Sequence, residues 1–173
     1  MDIQKRASRV KLLLMDCDGV LTDARLWLFS GGDEQKCFSA RDGLGLELLH
    51  QAGLRSGIIS GRSSAAVERR ARELGVGYLR QGSTDKIKVF EEILVEARTS
   101  DNEVAFIGDD LNDIPLMRRA VFAVAVADAA EESRSCAHYV TRSRGGRGAV
   151  RETIEFILKS QGLWESLIMR YQG

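Results

Sequence analysis

Short apolar segments alternate with longer amphipathic segments along most of the chain. Runs such as Val10–Met15, which are apolar without polar alternation, are typical of strands buried on both faces. The predicted strands cover residues 10–15, 55–59, 76–79, 104–107, 121–126 and 138–140, and the predicted helices cover residues 43–52, 63–74, 84–97, 112–119, 129–136 and 149–159. Strands that alternate with helices form βαβ units. The pattern therefore predicts an α/β fold with a Rossmann-like open, mostly parallel sheet and helices on both faces.

The segment after the first strand departs from this rhythm and predicts a β-hairpin flap over about residues 24–38. Leu26–Phe29 and Lys36–Phe38 have the character of two strands, and Gly31–Asp33 between them contains good turn formers. We therefore expect a hairpin inserted between the first strand and the first long helix.

The two ends of the chain carry weaker patterns. Residues 1–9 are expected to be a loose polar lead-in, and about residues 162–173 an amphipathic or frayed tail. No linker, internal repeat or low-complexity segment divides the sequence, so we expect one domain over residues 1–173.

The composition is that of an ordinary soluble globular protein. Its 173 residues are 44% hydrophobic and 29% charged. The 25 basic and 25 acidic residues cancel, so no overall field favours nucleic acid or an anionic membrane surface. No apolar run approaches the ~20 residues of a membrane span. The three cysteines are too few and too scattered for a disulfide framework or a zinc site, so we expect a cytoplasmic protein with reduced thiols.

Polar side chains follow three of the predicted strands at the point where each strand ends. Asp16 and Asp18 follow the first strand, Ser60 follows the second, and the segment Gly108–Asp113 follows the fourth. Ligands of open α/β sheets bind beyond the carboxyl ends of the strands, so we expect these groups to converge there. Lys86, at the start of a predicted helix, is expected to join them.

The expected cluster has the chemistry of a phosphoryl site. Carboxylates this close repel one another unless a cation lies among them, and Mg²⁺ prefers oxygen ligands. Ser60 and Lys86 are suited to bind phosphoryl oxygens, and a carboxylate can act as the nucleophile. Asp-x-Asp-Gly or Gly-Asp-Asp alone is usually a turn. The ordered set, with each member at a strand end or a helix start, favours a site instead.

The set resembles the four motifs of the haloacid dehalogenase-like phosphatase superfamily, in its capless subclass. A closer resemblance is to the 3-deoxy-D-manno-octulosonate 8-phosphate phosphatases. It spans about residues 10–162, and the segments that carry it include Phe38–Gly45, Tyr78–Gly82, Ala125–Ala129 and Arg144–Glu152. The segment Gly-Gly-Arg-Gly-Ala-Val-Arg within the last of these is the most family-specific.

The resemblance implies a role for each motif residue. Asp16 matches the nucleophile that forms an aspartyl-phosphate, and Asp18 matches the general acid/base. Ser60 and Lys86 match the pair that binds the phosphoryl group. The Mg²⁺ cofactor would be held by the Asp16 carboxylate, the Asp18 backbone carbonyl and Asp109. The remaining acids, Asp110 and Asp113, are expected to orient Lys86 and metal-bound water from behind.

The chain has no room for a cap domain over the site. The resemblance implies that a homotetramer supplies the cover, with the hairpin and C-terminal segment of one subunit over the site of another. Leu26–Phe29 are apolar on the outward side as well, which favours an interface. The alternative, that this ribbon packs on its own domain, stays open.

The expected substrate is the phosphate monoester of a keto-deoxy sugar acid. Arginines suit a carboxylate because their planar fork can bind both oxygens. The candidate substrate-binding residues are Arg41, Arg62, Arg70, Arg144 and Arg147, together with Lys86 and with Ser39, Asp42 and Gly43 of the family-like motif. For Arg70, which lies in a run of charged residues, a solvated surface position is equally expected.

One position departs from the family pattern. Glu47 lies where these phosphatases often have a basic residue, and an acid there would repel a carboxylate. A 9-phosphate of a nine-carbon keto-sugar acid therefore remains an alternative substrate. A non-catalytic tetramerisation module is a second alternative, although Asp16, Asp18, Lys86 and Asp109 are all present. A phosphomutase or dehalogenase fits less well, because a mutase needs a cap and a dehalogenase does not need Asp18.

Overall fold

The computed structural model describes residues 2–31 and 34–171. It contains eight strands and eight α-helices within these residues. The strands are β1 (Leu12–Met15), β2 (Trp27–Leu28), β3 (Glu34–Gln35), β4 (Arg55–Ile59), β5 (Tyr78–Arg80), β6 (Val104–Gly108), β7 (Phe122–Ala125) and β8 (Tyr139–Val140). The helices are α1 (Ile3–Ala7), α2 (Ala40–Gln51), α3 (Ala65–Glu73), α4 (Lys86–Ala97), α5 (Ile114–Arg119), α6 (Glu131–Cys136), α7 (Ala149–Ser160) and α8 (Trp164–Ile168).

Six of the strands form one parallel sheet in the order β5-β4-β1-β6-β7-β8, and β2 and β3 form a separate antiparallel hairpin. Every residue of β1 is fully buried, and β6 and β7 are buried along their whole length. Since successive side chains of a strand point to opposite faces, helices must cover both faces of the sheet. The predicted fold class is confirmed.

The strand order brings the ends of β1 and β6 together. From β1 the chain moves outward through β4 to β5, and then returns to place β6 on the other side of β1. Met15 at the end of β1 lies opposite Ile58 and Ile107 of its two neighbours. This reversal of direction is the switch point at which open α/β sheets bind their ligands.

The N-terminal segment differs from the prediction of a loose lead-in. Residues Ile3–Ala7 form α1, which packs against α7 and buries Ala7 completely. Arg6 Nη1 donates to the carbonyl of Val121 at 2.9 Å, and Gln161 Nε2 donates to the carbonyl of Val10 at 2.8 Å. These partners are distant in sequence, so the polar pattern of the segment alone gave no sign of them.

The hairpin is present, but its second strand begins earlier than predicted. β3 comprises Glu34–Gln35, whereas Lys36–Phe38 was expected. Phe38 instead turns inward and packs against the core. The predicted turn residues Gly32 and Asp33 lie outside the described residues, as do Met1 of the lead-in and residues 172–173 of the tail.

The tail begins with α8, whose Trp164 packs against the core with Arg151 and Lys159 over its ring. Between β1 and β4 the described residues form only the hairpin and α2, and none of the described segments forms a cap over the sheet edge. Within the same residues, no helix combines the length and apolar character that crossing a membrane requires.

Candidate active site

The loop after β1 carries Asp16 and Asp18 to the switch point. The backbone N–H of Asp16 donates to the carbonyl of Ile107 at 3.0 Å, which ties the start of this loop to β6. Gly19 follows with φ +98°, and a Cβ there would lie 2.0 Å from Asp109 Oδ2. Only glycine therefore allows the β1 loop to approach Asp109 so closely.

Lys86 is the residue that joins the carboxylates. Asp85 caps the start of α4 by accepting from the N–H of Lys88 at 3.0 Å, and Lys86 becomes the first helical residue. Its Nζ donates to Asp16 Oδ1 at 2.6 Å and to Asp113 Oδ1 at 2.7 Å. Burial by itself lowers the pKa of Lys86, but the combined attraction of Asp16 and Asp113 outweighs it, and the pKa is raised. Lys86 is therefore a permanently charged group at the base of the site.

Asp113 is fully buried and holds two other members of the site in place. One of its oxygens accepts from Lys86, and the other accepts from the N–H of Asp109 at 3.0 Å. Gly108 makes room for this arrangement, because a Cβ there would lie 2.5 Å from Asp113 Cβ. Both oxygens of Asp113 are thus engaged, which supports its predicted role as an orienting group.

The carboxylates around Lys86 form a cluster with an excess of negative charge. Oxygen atoms of Asp16, Asp109 and Asp113 lie within 4.8 Å of one another, and Lys86 is their cationic partner among the described residues. Burial and the charge of Asp113 raise the pKa of Asp16 to about 6. Burial and the charges of Asp16, Asp113 and Asp110 raise the pKa of Asp109 to about 8. One ammonium group does not balance three carboxylates, so a further cation would stabilise the cluster. Mg²⁺ suits such a position because it prefers oxygen ligands.

The cluster opens into a cavity of about 250 Å³. Its lining includes Asp16, Asp18, Ser60, Arg62 and Asp109. Ser60 is buried and accepts from the N–H of Arg62 at 3.2 Å, which leaves its hydroxyl proton available for an oxygen in the cavity. The predicted set of Asp16, Asp18, Ser60, Lys86 and Asp109 is therefore brought together at one place.

Asp18 belongs to a group of charges that the sequence analysis did not identify. Lys36 Nζ donates to Asp18 Oδ1, and it lies 3.3 Å from Glu34 Oε1. Arg62 Nη2 donates to Glu34 Oε2 at 2.5 Å, while Arg62 Nε lies 3.9 Å from Asp18 Oδ2. We call Asp18, Lys36, Glu34 and Arg62 the flap cluster. Glu34 and Lys36 are two residues apart in an extended segment, a spacing that places both on one side of it.

Asp42 and Gly43, two of the predicted substrate-binding residues, make structural contacts within the chain. The carboxylate of Asp42 is buried and accepts from the N–H groups of Gly148 at 3.1 Å and Arg151 at 2.8 Å. Each of its oxygens therefore forms a hydrogen bond with the start of α7. Gly43 is buried too, and a Cβ there would lie 2.4 Å from Arg70 Nη2. Asp42 therefore anchors α7 and Gly43 makes room for Arg70, and their contact with substrate stays a prediction.

The other predicted substrate-binding residues do not line one common cavity. Ser39 caps α2 by accepting from the N–H of Asp42 at 3.4 Å. Arg70 lines a cleft of about 430 Å³ next to Lys36, and Arg41 and Arg147 line a second cleft of about 440 Å³. Arg144 is exposed and lies on the loop that precedes Arg147. Of the five arginines, only Arg62 lines the cavity itself.

The last two acids differ in position, because Asp110 lines the cavity and Glu47 lies on α2. Asp110 is exposed and accepts from the N–H of Leu111 at 2.7 Å, so it caps the turn that carries Asp113 and does not contact Lys86. Glu47 is exposed on the outer side of α2.

Comparison with known proteins places the chain in a family. A model of haloacid dehalogenase-like hydrolases matches residues 78–154. The 3-deoxy-D-manno-octulosonate 8-phosphate phosphatase of Yersinia pestis is 42% identical over 160 residues, which cover 92% of this chain and 86% of the relative. The chain belongs to the 3-deoxy-D-manno-octulosonate 8-phosphate phosphatase family.

Solved structures of relatives in the 3-deoxy-D-manno-octulosonate 8-phosphate phosphatase family share the whole architecture. The Moraxella catarrhalis phosphatase, solved with magnesium, phosphate and a KDO molecule, has a TM-score of 0.96 and 41% identity, and the match covers 98% of both chains. The cobalt-bound Haemophilus influenzae phosphatase has a TM-score of 0.90 and 32% identity, with 95% of both chains covered. The resemblance predicted from the motifs is thus confirmed at the level of the family.

Proposed function

We propose that the protein is a Mg²⁺-dependent phosphatase that hydrolyses 3-deoxy-D-manno-octulosonate 8-phosphate. The observation that carries this proposal is the ion-paired contact of Lys86 with Asp16 and Asp113 beside Asp109, at the base of a cavity that also contains Asp18 and Ser60. The family relationship supplies the substrate class.

Asp16 is the nucleophile of the proposed first step. One of its oxygens attacks phosphorus, the bond between phosphorus and the sugar oxygen breaks, and that oxygen takes a proton from the carboxylic acid of Asp18. The products are the free sugar acid, a phosphoryl group bound to Asp16, and the carboxylate of Asp18. Lys86 and the Ser60 hydroxyl stabilise the charge on the phosphoryl oxygens during the transfer.

Water completes the proposed cycle. Its oxygen attacks phosphorus while Asp18 accepts its proton, and the bond between phosphorus and Asp16 breaks. Inorganic phosphate leaves, Asp16 is a carboxylate again, and Asp18 is again protonated for the next substrate. One residue thus serves as acid in the first step and as base in the second.

The acids at the switch point fit a Mg²⁺ ion through the Asp16 carboxylate, the Asp18 backbone carbonyl and Asp109. When bound, the ion would neutralise phosphoryl charge and orient the group for in-line transfer. Asp113 would not be a ligand, because both of its oxygens are already hydrogen-bonded.

The sugar acid is proposed to lie toward the clefts that contain arginine. The candidates for its carboxylate and hydroxyls are Arg62, Arg70, Arg41, Arg144 and Arg147, together with Lys86 and with Ser39, Asp42 and Gly43. Glu47, which lies where the family often has a basic residue, keeps the nine-carbon 9-phosphate as the substrate to compare.

We also propose a cytoplasmic homotetramer built from single-domain chains of residues 1–173. The first arm of the hairpin supports the assembly, because Leu26, Trp27, Leu28 and Phe29 are between 43% and 69% exposed. An apolar ribbon of this kind is typical of an interface. A hairpin from a second subunit would give the capless site its cover.

The test is phosphate release from a panel of sugar-acid phosphates with Mg²⁺ or with EDTA. We expect Mg²⁺-dependent release, fastest with 3-deoxy-D-manno-octulosonate 8-phosphate and lost in Asp16→Asn. Preference for a nine-carbon 9-phosphate would correct the substrate and leave the chemistry intact. A folded protein that releases no phosphate from any member would contradict the proposal and favour the assembly module.

A further inference from the structure

The second strand of the hairpin reaches the active site of its own subunit. Glu34 and Lys36, which the hairpin supplies, face Arg62 from the loop after β4 and Asp18 from the loop after β1. The Lys36 side chain is 1% exposed, whereas the apolar residues of the first strand, Trp27 and Leu28, are more than half exposed. The two arms of the hairpin therefore differ in environment, and the inner one ends on the proposed acid/base.

We propose that Lys36 is a positioning residue that selects which oxygen of Asp18 transfers the proton. This inference rests on the proposed function and deepens it. It concerns the orientation of Asp18, and it assigns the hairpin a role within its own subunit.

The two oxygens of Asp18 have different surroundings. Oδ1 accepts from Lys36, and the Thr22 hydroxyl lies 3.5 Å from the same oxygen. Oδ2 faces Arg62 Nε at 3.9 Å, which is too long for a hydrogen bond. An ammonium group donates only, so a proton on Asp18 is driven away from Oδ1. Oδ2 is therefore the oxygen that gives the proton to the sugar oxygen and later takes one from water.

Glu34 holds the ammonium in place. Its Oε1 lies 3.3 Å from Lys36 Nζ, and its Oε2 accepts from Arg62 at 2.5 Å. Without this carboxylate, two cations would approach Asp18 and repel each other. The alternation of negative and positive groups in the flap cluster thus fixes Lys36 on one oxygen and keeps Arg62 at a distance from the other.

The test compares kcat/KM for two leaving groups. This ratio covers the steps up to the departure of the leaving group. The sugar hydroxyl needs a proton from Asp18 to leave, whereas p-nitrophenolate leaves without one. For Lys36→Ala we expect kcat/KM for the sugar-acid phosphate to fall about 100-fold and that for p-nitrophenyl phosphate to change by less than about 5-fold. Lys36→Arg, which can also donate to Oδ1, is expected to restore at least about 10-fold of the loss.

A double variant distinguishes a role of Lys36 through Asp18 from a general effect of Lys36 on the folded structure. If Lys36 acts through Asp18, Lys36→Ala adds no further loss when Asp18→Asn is already present. Lys11→Ala is the matched control: it removes a lysine that pairs with Glu103 at 2.6 Å, at the opposite end of β1, and it should leave both ratios unchanged. Lys36→Gln serves as a second variant if Lys36→Ala does not fold.

Each result decides between the two proposals. Equal losses for both substrates, no loss, or additive losses in the double variant would overturn the positioning role. Wild-type protein that cleaves p-nitrophenyl phosphate but not the sugar-acid phosphate would correct the substrate, and the same comparison would then use the best alkyl phosphate of the panel. Wild-type protein without activity on any phosphate would overturn the proposed function and the role of Lys36 together.

Discussion

At the scale of single residues, the site is defined by a shortage of positive charge. Lys86 is shared between Asp16 and Asp113, and Asp109 lies next to them with its pKa raised to about 8. Acids whose pKa values are strongly raised cluster at functional sites, where a bound cation can stabilise their charged form. The acids therefore indicate that a metal belongs to the working form of the site.

The raised pKa values predict how stability depends on pH without metal. The folded protein binds protons on Asp16 and Asp109 at pH values where the unfolded chain has released them. Stability of the metal-free protein from this source therefore falls as pH rises from about 4 to about 8. Mg²⁺ displaces these protons, so its binding tightens over the same range. We expect the rise in melting temperature with Mg²⁺ to be larger at about pH 8.5 than at about pH 5.5.

Thermal unfolding in EDTA and in Mg²⁺ at both pH values measures this effect. Asp109→Asn is the control, because it removes the proposed ligand that carries the highest pKa, and the stabilisation by Mg²⁺ should largely disappear. A stabilisation that is equal at both pH values in the wild type would mean that protons and metal do not compete at these acids.

At the scale of elements, a buried carboxylate joins two helices that are distant in the chain. Asp42 in the first turn of α2 accepts from two backbone N–H groups at the start of α7. The segment just before α7 carries Arg144 and Arg147, and Gly145 in it lies directly against the backbone of Gly19 in the β1 loop. Asp42 thus helps to fix the loop that borders the site.

We expect replacement of the Asp42 carboxylate to lower the free energy of unfolding. Asp42→Asn keeps one acceptor but turns a donor toward a backbone N–H, so one buried group is left without its hydrogen bond. We expect a loss of about 1–3 kcal/mol in the free energy of unfolding, measured by urea denaturation. Asp85→Asn is the matched control, because it caps α4 at an exposed position where asparagine caps equally well. Equal effects of the two substitutions would contradict the anchoring role of Asp42.

The elements of the fold differ in how far sequence could predict them. β1 and β6 are apolar runs followed by acids, so both their burial and their convergence follow from local pattern and the geometry of parallel sheets. α1 and β3 could not be placed, because each depends on distant partners: Arg6 on Val121, and Glu34 on Arg62. A short helix or a two-residue strand has too little local pattern to outweigh such contacts.

The residues of the site also differ in how far the sequence could predict them. Asp16, Asp18, Ser60, Lys86 and Asp109 were predicted because each stands at the end of a strand or the start of a helix. Lys36 has the usual pattern of a solvated charge in a hairpin, and only the structure brings it to Asp18. The spacing of Glu34 and Lys36, two residues apart in an extended segment, predicts that both lie on one face. It does not predict which residues that face contacts.

At the scale of the whole molecule, the two arms of the hairpin lie in different environments. Its inner arm reaches Asp18, and its outer arm exposes an apolar ribbon of Leu26–Phe29. If that ribbon covers another subunit, assembly and catalysis depend on the same short insertion.

A charged residue in the ribbon should prevent assembly. For Leu28→Asp, which places a charge on a side chain that is 69% exposed, we expect a smaller oligomer than the wild type. Light scattering during size-exclusion chromatography should give the wild type a mass of about four times the 19.1 kDa of the chain. Val95→Asp is the matched control, since Val95 is 80% exposed and lies on α4, outside the hairpin segment. A monomeric wild type would contradict the proposed tetramer.

The covalent role of Asp16 is open to direct measurement by rapid acid quench and peptide mass spectrometry. In Asp18→Asn, p-nitrophenyl phosphate can still phosphorylate Asp16, because its leaving group needs no acid, but water lacks its base. A phosphoryl group should therefore accumulate on the peptide that contains Asp16, and only when Mg²⁺ is present. Phosphate released without any modified Asp16, or a phosphoryl group on a different residue, would contradict the proposed chemistry.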